Sequence, residues 1–80
     1  MKETVWREKF AEKLAEKMNE KGYSQSALAN KAKLPQPAIS NYLLGQSTPN
    51  IRAVINLSHA LKCTIGELVD FGERIQPIIY

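Results

Sequence analysis

Gln36, Ser40 and Asn41 stand four and five residues apart, a spacing that places side chains on one side of a helix turning about 100° per residue. A primary amide sets an N–H donor beside a carbonyl acceptor, the pair that matches N6 and N7 of adenine, and a hydroxyl bonds either base edge. Pro37 and Leu44 fall on the same side. They offer apolar contact, Pro37 to a thymine methyl. No carboxylate stands there to repel a phosphate backbone. The chemistry on offer is hydrogen-bonded reading of base edges in a duplex major groove, about 12 Å wide and open to a single helix. By itself the pattern also fits a plain solvated face, so the surroundings have to decide.

Other chemistries find little support. Cys63 is the single cysteine, which gives neither a disulfide framework nor a metal cluster. It reads as a half-buried thiol in a reducing compartment. His59 has no Cys, Asp or Glu neighbour at metal spacing and reads as a half-buried helix residue. Ser24, Ser26, Ser40 and Ser58 lack the context of a nucleophile. The four glycines form no phosphate cradle. We therefore expect no catalytic residue, no metal site and no cofactor.

Charge is informative by its placement. The 80-residue chain carries a net +3, yet all eight acids lie outside residues 21–62. That stretch holds Lys21, Lys31, Lys33, Arg52 and Lys62 with no Asp or Glu. Residues 1–20 balance five basic against five acidic side chains. A one-signed segment inside a mixed chain suits a polyanion-binding surface. The absence of an apolar run of about 18 residues or of a signal-like start leads us to expect a cytoplasmic protein with no membrane contact.

The elements that must position these residues are helical nearly throughout. Trp6, Phe10, Leu14 and Met18 recur every four residues, with Ala11 and Ala15 beside them, and predict a first helix over Glu3–Lys21. Lys9–Glu12, Lys13–Glu16 and Lys17–Glu20 are spaced to pair on its wet side, and Gly22 ends it. Ser24 caps a short second helix, Gln25 to Ala32, whose Leu28, Ala29 and Ala32 face inward. Pro35 disfavours helix at Leu34. A third helix then runs from Gln36 to about Leu44, with Pro37 in its first turn and Gly45 after it. Ala38, Ile39, Tyr42 and Leu43 occupy its inner side. Asn50 caps a fourth helix, Ile51 to about Leu61, with Ile51, Val54, Ile55, Leu57, Ser58 and Leu61 in its buried set. The run Thr64-Ile65-Gly66-Glu67 is a capping box that starts a fifth helix at Ile65, ending near Phe71. The second and third helices, joined by a three-residue turn, are a helix-turn-helix candidate.

From Phe10 to Phe71 the chain resembles the lambda-repressor-like (Cro/C1, or xenobiotic-response-element type) helix-turn-helix domain. The resemblance rests on an ordered set: Phe10 to Leu14 with Met18 and Gly22, Tyr23-Ser24-Gln25 with Leu28-Ala29, Gln36 with Ile39-Ser40 and Gly45, then Pro49-Asn50, Ala60-Leu61 and Ile65 to Leu68. It implies a compact all-α, five-helix domain, over residues 1–72, that binds operator DNA as a two-fold homodimer. It also implies roles. Gln36, Pro37, Ser40 and Asn41 take the base-reading positions. Gln25 bonds a phosphate and braces Gln36, with Ser24 beside it. Ser47, Thr48, Arg52 and the backbone amides near Asn50 hold further phosphates, a role suited to helix N-termini.

The chain also departs from the family. Lys33 stands where the family usually has Gly in the turn; a positive φ there costs roughly 1 kcal/mol or more, accepted where the ammonium faces DNA. Pro35 replaces a Ser or Thr cap, and Pro37 a frequent Gln or Ser. The third helix lacks Arg and Lys, so adenine is favoured over guanine. Residues 73–80, with Ile75, Pro77, Ile78, Ile79 and Tyr80, are too apolar for a solvated tail. We expect them to act as a dimerisation arm against a second subunit; folding back on their own domain is the alternative. A dimer sets two reading helices about 34 Å apart, one turn of duplex. The resulting expectation is a transcriptional repressor on double-stranded DNA, with no small-molecule ligand. The alternative is a protein-interaction module or antitoxin-type partner on the same fold.

Overall fold

Phe10, Leu14 and Met18 are buried along one side of α1, the helix Glu3–Lys21, and three of the later helices pack against that helix. The computed structural model describes residues 2–69. Four further helices follow: α2 (Gln25–Ala32), α3 (Gln36–Leu43), α4 (Ile51–Leu61) and α5 (Ile65–Val69). No strand occurs among the described residues. α1 packs against α3, α4 and α5, and α2 packs against α3 and α4. Phe10, Leu14, Leu28, Ile39, Leu57, Leu61 and Leu68 are the largest fully enclosed side chains, so every helix sends at least one anchor inward.

Several helix ends have a local cause. Ser24 Oγ accepts the Ala27 N–H at 3.1 Å, and Asn50 Oδ1 accepts the Ala53 N–H at 2.8 Å. Each satisfies a donor that its helix leaves unpaired. The expected capping box forms in both directions. Glu67 Oε2 accepts the Thr64 N–H at 2.6 Å, and Thr64 Oγ1 accepts the Glu67 N–H at 3.1 Å. Gly22 takes the left-handed conformation that turns the chain out of α1. Lys33 does the same after α2, with φ of 56°, and Lys62 after α4, with φ of 53°. Lys33 thus pays the strain expected of it. The Lys62 strain had no signal in the sequence.

Several expectations need correction. α3 ends at Leu43, with Leu44 as its cap and 66 % exposed. Ile51 is not in the buried set: it opens α4 and stays 69 % exposed, because the neighbouring helices close over only the next turn. Ala53 takes a core position, and Ile55 is half-buried. His59 is exposed, lying two residues from Leu57 and Leu61 and so turned away from the side they bury. Ala15 is exposed as well. Of the three wet-side pairs, Lys17–Glu20 forms, at 3.3 Å, and Lys17 also reaches Glu67 at 3.7 Å. The end of the fifth helix near Phe71 and the segment 73–80 lie outside the described residues. Cys63 is half-buried as expected, and burial pushes its thiol pKa up.

Two outcomes follow. Lys33→Gly removes the Cβ from a left-handed position and raises stability by up to about 1 kcal/mol. A denaturant midpoint that stays put or falls would refute the strain. Glu67 is held below the usual carboxylate pKa of about 4.3, first by the hydrogen bond from the Thr64 amide and also by Lys17. A depressed carboxyl contributes stability that is present above its unfolded pKa and fades as pH falls through the folded one. Thermal midpoints of the native chain and Glu67→Gln should therefore differ at neutral pH and converge below about pH 4. A gap constant with pH would contradict this.

Candidate nucleic-acid interface

α3 is eight residues long, and its rotation is set by what it buries. Ile39 is fully enclosed, and Tyr42 sits edge-on to Phe10 with ring centroids 6.0 Å apart and planes at 83°. Phe10 in turn stacks on Trp6 at 5.3 Å. Burial raises the Tyr42 phenol pKa. With Ile39 and Tyr42 inward, Gln36, Pro37 and Asn41 are exposed and Ser40 is half-buried. Gln25, Gln36, Pro37 and Ser40 line a single open hollow between the start of α2 and the outer side of α3. The hollow contains amides, a hydroxyl and a pyrrolidine ring, with no charged side chain in its lining. Gln25 and Gln36 share it, but among the described residues no hydrogen bond joins them, so the expected brace is not formed. Asn41 lies outside its lining, and the Asn41 carbonyl accepts the Gln46 N–H at 2.9 Å where the chain leaves α3.

The other candidate residues are spread around this surface. Ser24 uses an oxygen lone pair for its cap and keeps its O–H as a donor. Asn50 spends Oδ1 on its cap and keeps its NH2 donors. Arg52 is exposed and has no ion pair among the described residues. Ser47 is half-buried. Lys33 is exposed but separate: α2 is eight residues, about 12 Å, long, and Lys33 stands at the end opposite Gln25. It lines a second hollow with Lys31, Asn56 and His59.

Thr48 is engaged elsewhere. Its hydroxyl donates to Glu3 Oε1 at 2.9 Å, so the donor a phosphate needs is occupied by a carboxylate. The acid-free stretch 21–62 is therefore not acid-free in space, because the first turn of α1 brings Glu3 to it. Arg7 was missed by the sequence reading. It reaches Glu3 at 3.5 Å and donates to the Gln46 carbonyl at 3.3 Å, tying α1 to the loop after α3. The i,i+4 spacing of Glu3 and Arg7 was the available signal.

Among the described residues, no group of three or more His, Cys, Asp or Glu side chains is placed to hold a metal ion. No described helix is long and apolar enough to cross a membrane. No curated protein matches the chain. The model of the Helix-turn-helix family matches residues 14–68, more than half of the chain, which spans the end of α1 through Leu68 of α5. With α2 and α3 joined by a left-handed turn at Lys33 and held by a five-helix core, the chain belongs to the lambda-repressor-like, Cro/C1-type helix-turn-helix family of DNA-binding regulators.

Proposed function

We propose that this chain is a sequence-specific transcriptional repressor that inserts α3 into the major groove of an operator. The observation that carries this reading is the uncharged hollow of Gln25, Gln36, Pro37 and Ser40 on the outer side of α3. Gln36 and Asn41 read adenine through paired donor and acceptor, Ser40 bonds a base edge, and Pro37 meets a thymine methyl. Ser24 and Gln25 hold one flanking phosphate. Ser47, the Asn50 amide, the first backbone N–H groups of α4 and Arg52 hold another. Thr48 joins them only when its hydroxyl leaves Glu3. Lys33 reaches a more distant phosphate with its long side chain. Without Arg or Lys on α3, affinity depends on those phosphate contacts and on two copies acting together. A two-fold homodimer sets the two α3 helices about 34 Å apart on one face of the duplex. A reducing cytoplasm suits the lone Cys63.

A second reading, a protein-interaction module or antitoxin-type partner on the same fold, is favoured by one observation. Ile51 is exposed next to the candidate phosphate loop.

Binding to duplex DNA at several salt concentrations separates the two. A DNA binder loses affinity linearly in log salt, with a slope set by the phosphates neutralised. On a site selected from a random pool, Gln36→Ala should cost about 1–3 kcal/mol while leaving random duplex unaffected. Arg52→Ala should weaken both and lower the salt slope by about one. Absence of binding to any duplex at low salt would reject the repressor reading in favour of the protein partner.

A further inference from the structure

The apolar groove beside α4 has a candidate occupant in the chain itself. Trp6, Thr48, Pro49, Ile51, Val54, Ile65 and Val69 line it, so α1, α4 and α5 all contribute, and Thr48 adds a hydroxyl already bonded to Glu3. Ile51 is the most exposed large apolar side chain of the described residues, and Ile65 is exposed as well. Val69, the last described residue, stands in its wall. The sequence then continues Asp70-Phe71-Gly72-Glu73-Arg74 into Ile75-Gln76-Pro77-Ile78-Ile79-Tyr80.

We infer that this groove is the seat of the chain's own residues 75–80. Reach allows it: the five residues 70–74 cover up to about 17 Å when extended, and Gly72 permits the reversal of direction that returns the chain over Ile65. Chemistry fits as well. Pro77 disfavours helix at Gln76, and in extended backbone successive side chains alternate. Ile75, Pro77 and Ile79 then share a wholly apolar side, while Gln76, Ile78 and Tyr80 fall on the other. The tether decides the source of the segment. Six residues are far fewer than the roughly 20–30 per side of a stable protein–protein interface. The same contact gains an effective concentration in the millimolar range when a short linker supplies it from the same chain.

Trp6 is the single tryptophan and lines the groove, so it reports occupancy directly. The test compares the full chain with full-length Ile75→Asp/Ile79→Asp, whose altered residues lie outside the core described above. Matching helical circular dichroism establishes that both fold. The variant should show red-shifted Trp6 emission and faster acrylamide quenching, by the same amount at every protein concentration. In a one-to-one mixture of isotope-labelled and unlabelled native chain, contacts between the Trp6 ring and the Ile79 methyls should appear within one chain and vanish from the intermolecular spectrum. Identical emission and quenching in the two proteins would overturn the inference. So would contacts that persist in the intermolecular spectrum, which would give the groove to the segment of a second copy.

Discussion

Everything the outer side of α3 can do depends on the burial of Ile39 and Tyr42 on its inner side. A helix of eight residues has no stability of its own in water. It exists here because Ile39 is enclosed between the other helices and Tyr42 packs edge-on against Phe10. Two anchors three residues apart fix both the tilt and the rotation of so short a helix. Rotation is what matters for recognition: once Ile39 and Tyr42 point inward, Gln36, Pro37 and Asn41 have to point outward. The outer surface of α3 is a consequence of packing, and α3 can vary its outer side chains without disturbing the core.

The same economy governs the connections. The helices are short, so the chain must turn sharply, and it does so through left-handed residues at Gly22, Lys33, Gly45 and Lys62. Two of these are glycines, for which the conformation is nearly free. The two lysines accept strain, and both lie in the segment that carries no acid. A basic side chain at a strained turn keeps the field of the molecule favourable to phosphate at some cost in stability.

Helix placement was legible in the sequence because it depends on local signals: the four-residue recurrence from Trp6 to Met18, the caps at Ser24 and Asn50, and the reciprocal pair Thr64 and Glu67. The outward side of α3 was legible too, since periodicity alone separates Gln36 and Asn41 from Ile39 and Tyr42. What sequence could not supply is contact between distant segments. Thr48 looks like a free hydroxyl until Glu3, 45 residues away, accepts its hydrogen bond. Arg7 looks like one more surface charge until it meets the Gln46 carbonyl. Ile51 matches the apolar rhythm of α4, yet nothing described covers it, because rhythm gives direction and not depth. Lys62 shows the same limit at the backbone, where a residue other than glycine is held in a left-handed turn at the end of a helix.

The most direct test of the account is a map of backbone amide shifts as duplex containing the selected site is added to the full chain. The largest changes are expected at Gln25, Gln36, Ser40 and Asn41, with attenuation when random duplex replaces that site. Unmoved amides along α3, with changes gathered instead around Trp6, Ile51 and Ile65, would contradict it.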